Sequence, residues 1–268
     1  MILIMNSSIC ILHNNEWLIR QRVAGNIAAK TLSLLNKLVK EKTIKSLLEL
    51  DKIAEEFIIK NNCIATFKNY KGFPNAVCIS IDNKNKHALV HGIPTDYKLE
   101  NGDLISFDLG CTFEGAIADT ALTTIFGCPK SEEHSKLINN TYMALIKSIK
   151  NIKIGNKIGI IGNTIYKSLS PNNYGIVQNY GGHSLSYNEP HAAPFISNKS
   201  ELNEGIRIQA GMTLAIEPLA VINKNIETYI GDDSWTVYTN DTSCHFEHTI
   251  YIHDDKIEVI TLRENEKI

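Results

Sequence analysis

Five side chains in this sequence put metal-ligating chemistry into apolar, β-type surroundings. Asp108 interrupts the run from Ile105 to Leu109, and Asp119 lies in the run from Ala116 to Leu122. Glu217 closes the stretch begun at Met212, Glu247 opens the stretch that ends at Ile252, and His183 follows Gly181 and Gly182. A carboxylate in such company is costly to bury unless it is paired, protonated or bound to a metal. Taken singly, either aspartate reads as a solvent-facing group on an edge strand, and a lone histidine as a core or loop residue. The set carries the argument. Four crowded carboxylates repel, two divalent cations would cancel their formal charge, and such ions sit about 3.5 Å apart. An oxygen-rich site with one imidazole suits Mn, Fe, Co or catalytic Zn, and not a thiolate-type structural zinc. Water shared by two such ions loses a proton near neutral pH, and a neighbouring carboxylate can shuttle it.

The elements that must position these groups can be read from periodicity. Apolar residues recur at helical spacing from Trp17 to Lys40 (Leu18, Ile19, Val23, Ile27, Leu34, Leu35, Leu38). Ser46 and Glu49 form a capping box for a second helix to about Lys60, with Leu50, Ile53, Ala54, Phe57 and Ile58 on its buried stripe. Val77 to Ile81, Leu104 to Leu109 and Ala116 to Phe126 read as strands, the last two joined through Gly110 to Gly115. Ser131 N-caps a third helix to about Lys150, and a fourth runs from Lys157 to Leu169. Four β segments finish the chain, at Ile176 to Gly182, Met212 to Ile222, Thr236 to Thr239 and Phe246 to Ile252. Helix pair, strands, helix pair, strands is one plan used twice. It implies two α+β halves, about 1–128 and 129–268, packed as a single catalytic domain with the site at their seam.

The bulk numbers narrow the setting. The chain has 268 residues, 43% hydrophobic and 21% charged, with a formal net charge of −2, so nothing calls for nucleic acid or a charged membrane. No apolar run approaches the roughly 18 residues of a membrane span. The apolar start from Met1 to Leu12 is broken by Asn6, Ser7 and Ser8 and fails as a secretory signal. Six scattered cysteines without a C-x-x-C pair fit a reducing, cytoplasmic setting.

The motifs, in order, resemble those of type I methionine aminopeptidases. They are Arg22 to Gly25, Gly72 to Pro74, Val77 to Ser80, His91 to Pro94, Gly102-Asp103, Asp108 and Asp119-Thr120, followed by Gly182-His183, Met212-Thr213, Ile216 to Pro218, Trp235 to Val237 and Glu247 to Ile250. No single motif is decisive. In register from about residue 17 to 252, they are specific together. The resemblance implies the pita-bread fold, with a curved antiparallel sheet between pseudo-symmetric halves, and removal of the N-terminal methionine of nascent polypeptides by a hydroxide bridging two divalent metals. It makes Asp108, Asp119, His183, Glu217 and Glu247 the ligands, with Asp119 and Glu247 bridging, His183 and Glu217 on one metal and Asp108 on the other. Glu217 doubles as proton shuttle. His91 is the substrate-side histidine, and Tyr70, Phe73, Cys78 and Trp235 wall the methionine pocket, where soft contacts with aromatics and sulfur suit the side chain. A preference for small second residues, a monomeric state and at most a transient ribosome contact also follow from the resemblance.

Three departures qualify it. The segment between Cys78 and His91, with the polar run Asp82 to His87, is about four residues longer than the type I pattern, so a nearby monovalent-cation site is not carried over. Ser184 to Pro190 replaces a glycine-rich segment; the second catalytic histidine is read as His191, eight positions after His183, whereas a gapped alignment places Asn188 there. The approach to Glu247, Thr242 to Phe246, is shortened. The competing readings are an X-Pro aminopeptidase, which would normally carry a large extra N-terminal domain, and a metal-free pita-bread scaffold associated with ribosomes or chromatin, which would typically lose ligands.

Overall fold

Asn14 opens the first helix: its side chain accepts a hydrogen bond from the Trp17 amide, and α1 runs over Asn15–Lys40. Ser46 does the same for the Glu49 amide at the start of α2, Leu47–Lys60, and Ser131 for the His134 amide at the start of α3, Glu132–Lys150. These caps satisfy amides that would otherwise lack partners in the first turn. The shorter α4 covers Gly159–Leu169. The computed structural model describes residues 10–268, so most of the apolar start read at Met1 to Leu12 lies outside the described residues. Among those described, no helix is long and apolar enough to cross a membrane.

The core face of α1 differs in part from the expected stripe. Leu18, Ile27 and Leu35 are buried and Val23 and Leu38 partly so, but Ile19 is exposed, and Ala24, Ala28 and Leu32 complete the contact face. Small alanines there let the helix lie close across the strands beneath it. On α2, Leu50, Ala54 and Ile58 are buried as expected, while Ile53 and Phe57 sit at the margin.

The strands build a nine-stranded antiparallel sheet in the order Ile64–Ala65, Leu104–Phe113, Ala116–Ile125, Glu247–Ile252, Thr213–Ile216, Gly182–Ser186, Glu189–Ile196. Cys78–Asp82 adds to the second of these and Ile257–Val259 to the fourth. Two three-stranded sheets flank it, one from Gly175–Ile176, Leu219–Val221 and Ser243–His245, the other from Ala88–Val90, Thr228–Ile230 and Val237–Thr239. The order helix pair then hairpin occurs twice, as α1 and α2 with the Leu104–Ile125 hairpin, and α3 and α4 with the Gly182–Ile196 hairpin. This is the α+β pita-bread architecture, a curled antiparallel sheet with helices laid against it.

Several boundaries move. The first hairpin turns at Glu114-Gly115, both with positive φ, and Phe113 pairs directly with Ala116; Gly110 lies inside the strand, where a side chain would strike Thr66. The stretch from Met212 to Ile222 is two strands in two sheets, broken at Glu217-Pro218. The stretch from Ile176 to Gly182 is likewise the end of one strand and the first residue of another. The segment Ser184 to His191, read as an altered loop, is a second hairpin turning at Tyr187-Asn188. The long segment before His91 is a tight turn between strands, in which Asn83 Oδ1 accepts from the amides of Asn85 and Lys86 and Asp82 pairs with His87.

Candidate metal centre and substrate cleft

Strand register brings the carboxylates together. Asp108 stands opposite Ala121, Asp119 opposite Gly110, and Glu247 opposite Ala121 on the other side. Because side chains alternate, residues paired directly or two apart share one face of a sheet. Asp108, Asp119 and Glu247 therefore point the same way, around the small Ala121. His183 pairs with Ala215, which pairs with Thr249, so it joins this face from the second hairpin. Glu217 arrives at the strand break, where Pro218 cannot donate to a ladder. Gly182 lets the chain approach the Ala215 carbonyl more closely than a side chain would permit.

The backbone beneath the ligands is tied from several directions. Thr249 Oγ1 accepts from the Asp119 amide and donates to its carbonyl, each at 2.8 Å. Thr120 Oγ1 donates to the Glu247 carbonyl at 2.9 Å. Potential ligand atoms of Asp108, Asp119 and Glu247 lie within 4.8 Å of one another, and so do those of His183, Glu217 and Glu247. Glu247 belongs to both groups.

The electrostatics fit cations at this position. Asp108 Oδ1, Asp119 Oδ1 and Glu247 Oε1 are buried without a hydrogen-bond partner. Burial, reinforced by mutual repulsion with Asp119 and Glu217, holds the Asp108 carboxyl well above the usual range. Asp119 is pushed up to about 8, by burial and then Glu217, and Glu247 is raised by burial, Asp119, Glu217 and Asp108. Glu217 goes the other way: burial opposes its charge, but His245, His183 and His91 outweigh it and lower its carboxyl. Crowded, desolvated carboxylates with orphaned oxygens are the environment in which a divalent cation replaces the missing positive charge. The donor set of oxygens and imidazole suits the hard-to-borderline ions inferred from the sequence.

These residues floor a cleft of about 740 Å³ whose lining includes Tyr70, Phe73, Cys78, His91, His191 and Trp235. Every residue singled out for the site from the sequence thus faces one cavity. One wall is apolar: Phe67, Phe73 and Cys78 pack with Ile93 and Trp235, and the Phe73 and Trp235 rings meet edge to face at 5.3 Å. Trp235 is held by Asp233, whose Oδ1 accepts from the amides of Trp235 and Thr236 at 2.9 and 2.7 Å.

His91 follows Val90 with φ of 56°. Gly92 next to it packs against the Ile79 carbonyl where no side chain fits, and its amide donates to Ser80 Oγ at 3.1 Å. Burial pushes the His91 imidazole down to about 4. His191 sits beside His183, ring centroids 4.7 Å apart, and near Tyr70 and Phe67. His191 keeps an exposed side, but desolvation of its ring against the cleft walls, with His183 and His91 adding to the effect, lowers it well below the usual range. Asn188 occupies the hairpin turn, where its backbone N–H donates to the Gly115 carbonyl, and it is not among the residues lining the cleft.

Sequence reasoning missed Phe67, Tyr180, Phe195 and His245, which also line the cavity. The signal for His245 was present: a histidine two positions before Glu247 projects to the same side of an extended chain.

The fold and site together define a metallopeptidase-type centre, and comparison with known proteins agrees. Residues 20–254 match metallopeptidase family M24. A methionine aminopeptidase of Mycoplasma capricolum is 40% identical over 253 residues, covering 94% of this chain and 98% of the relative. That of Clostridium perfringens is 36% identical over 256 residues, covering 94% and 98%. The crystal structure of methionine aminopeptidase from Rickettsia prowazekii superposes with a TM-score of 0.87 at 32% identity, covering 95% of this chain and all of that one. The chain belongs to the methionine aminopeptidases of metallopeptidase family M24.

Proposed function

We propose that this chain removes the initiator methionine from new polypeptides, as a type I, two-cation aminopeptidase that favours small second residues. The observation that carries the reading is the convergence of Asp108, Asp119, His183, Glu217 and Glu247, three with an orphaned buried oxygen, beside an apolar wall suited to methionine. Asp119 and Glu247 would lie between two ions, His183 and Glu217 on one and Asp108 on the other. When bound, two divalent cations (Co, Mn, Fe or Zn) would offset the carboxylate charge and supply Lewis-acid activation of water.

The chain's own residues divide the remaining work. Glu217, the one carboxylate of the set whose environment favours its charged form, accepts and returns the proton. His91 and His191 are neutral at physiological pH, so each offers an N–H as a hydrogen-bond donor without adding charge near a cationic α-amine. His91 faces the scissile amide, and His191 donates to the carbonyl oxygen as negative charge develops there. Phe73, Cys78, Trp235 and Tyr70 take the methionine side chain, with Phe67 completing the wall. All six cysteines are free, as a reducing, cytoplasmic setting would leave them. On this reading the chain acts as a monomer on polypeptides leaving the ribosome.

A metal-free scaffold would have no use for orphaned, mutually repelling carboxylates in a sheet core. The reading is tested by methionine release from Met-Ala-Ser and Met-Lys-Ser peptides, using protein stripped of metal and then given Mn(II), Co(II), Fe(II) or Zn(II). Metal-dependent cleavage of the Met-Ala peptide alone is expected. Absence of cleavage with every metal would favour the scaffold reading instead.

A further inference from the structure

One histidine in the cleft has no part in the scheme so far. His245 is 2% exposed, and its Nε2 lies 3.3 Å from Glu217 Oε2. That nitrogen is buried with no hydrogen bond formed, and Glu217 Oε2 is the acceptor it faces. The opposite oxygen, Glu217 Oε1, lies 3.5 Å from His183 Nε2. One carboxylate therefore faces a histidine of the ligand group with one oxygen and a second, separate histidine with the other.

The placement of His245 is fixed by its strand. The Thr123 hydroxyl accepts from the His245 amide and donates to its carbonyl, both at 2.9 Å. On its other side the strand pairs with the segment that follows Glu217, placing His245 opposite Leu219. The imidazole is thus anchored to the strand that carries Asp119 and to the chain that leaves Glu217. His245 is not a member of the candidate ligand groups, whose donor atoms lie within 4.8 Å of one another; it stands behind Glu217.

We infer that His245 is a positioning residue for Glu217: its Nε2–H donates to Oε2 and leaves Oε1 as the oxygen presented to the cation beside His183. A carboxylate that must both ligate and move a proton can rotate between two equivalent poses, and a donor fixed on one oxygen removes that freedom. Partners of this kind orient ligands and tune affinity without touching the metal. The inference rests on the metal-centre reading of the cleft.

The test uses His245→Gln, whose amide can still donate to Glu217, and His245→Leu, which fills similar space without a donor. Each is compared with the parent for kcat and KM on Met-Ala-Ser, for Zn(II) and Mn(II) dissociation constants and stoichiometry by calorimetry on stripped protein, and for melting temperature. The expected result for His245→Leu is a loss of about 10- to 100-fold in metal affinity or kcat, with KM within about three-fold. His245→Gln should recover to within about three-fold, and ion stoichiometry should be unchanged in both. If His245→Leu does not fold, His245→Asn, with an amide too short to reach Oε2, takes its place with the same expectation.

Parental kcat and affinity in His245→Leu would overturn the inference. So would His245→Gln as impaired as His245→Leu and binding one ion fewer, which would make His245 a ligand. A parent that binds ions but releases no methionine would defeat the peptidase reading alone, and the dissociation constants would still decide the role of His245. A parent that binds no divalent ion would defeat both.

Discussion

Asp108 and Asp119 are diagonal neighbours on one face of a single hairpin, and each keeps a buried oxygen with no hydrogen-bond partner. Among the described residues no cation pairs with either; Arg263, which lowers Glu247, donates to Thr120 Oγ1 behind the sheet. The register therefore sets two buried carboxyls side by side, and without a cation to pair with they hold on to their protons. Replacing Asp119 or Glu247 by the matching amide should cost about 10³-fold or more in kcat/KM, because each sits in the shared part of the donor set. Steady-state kinetics with saturating Mn(II), alongside ion stoichiometry, checks this; parental rates in either variant would rule out a two-cation centre.

The same crowding makes the metal-free protein sensitive to pH in an unusual direction. Asp119 titrates at about 8 in the fold and at about 3.9 in an unfolded chain. The fold retains a proton that the unfolded chain has lost, so this contribution to stability is complete below about 4 and disappears as the pH rises through about 8. His91 and His248, both pushed down to about 4 by burial, act in the opposite sense, but only below about 6.5, where unfolded histidine takes up its proton. From pH about 6.5 to about 8 the melting temperature of stripped protein should therefore fall, with a shallower slope in Asp119→Asn. Calorimetric melts across that interval are decisive, and a flat or rising profile in the stripped parent contradicts the assignment.

His191 and Asn188 separate cleanly. His191→Ala should lose about 10²- to 10³-fold in kcat, the usual cost of one donor to a developing oxyanion. Asn188→Ala should stay within a few-fold in kcat and instead lose stability by about 1 kcal/mol, since its φ of 55° suits asparagine better than alanine. Kinetics and melts on the two variants read this directly. The reverse ranking would reassign the histidine position in that hairpin.

On the apolar wall, Trp235→Ala should raise KM about ten-fold while leaving kcat within about three-fold, the pattern of lost uniform binding. A fall in kcat with unchanged KM would mean that Trp235 orients the reacting bond instead.

Behind the sheet, Arg263 donates to Thr120 Oγ1 at 3.2 Å and to Glu266 Oε1 at 2.7 Å, and His248 contacts Thr261 and Glu266. Arg263→Met would take the guanidinium from the half-buried Glu266 and should cost about 1–3 kcal/mol, seen as a lower denaturation midpoint. A change below about 1 kcal/mol would show that water replaces the guanidinium.

How legible the molecule was depends on which forces set each part. The caps at Ser46 and Ser131 and the strands around Asp108, Asp119 and Glu247 were readable because local pattern decides them. Ile19 was misplaced because apolar spacing gives a face but not its edges, and the alanines that do pack there carry a weak signal. The split at Glu217-Pro218 was hidden by an apolar stretch continuous across two sheets. The hairpin at Ser184 to His191 was hidden for the opposite reason: it is polar on its open side, and its register comes from Thr213–Ile216, far along the chain. The spacing of His245 from Glu247 was legible and set it on the cleft side, but its approach to Glu217 comes from tertiary pairing opposite Leu219, which spacing in sequence does not encode.

The sheet order has a consequence for how the chain acquires its shape. Glu247–Ile252 lies between Ala116–Ile125 and Thr213–Ile216, so the strand joining the two hairpins is synthesised after both. Until it inserts, the two hairpins cannot join in the nine-stranded sheet, although Ala88–Val90 can already pair with Val237–Thr239, and the loop it closes spans more than a hundred residues, a slow, high-contact-order step. A nascent chain that ends between residues 217 and 246 has two unpaired strand edges, Ala116–Ile125 and Thr213–Ile216, and such edges invite association with other chains.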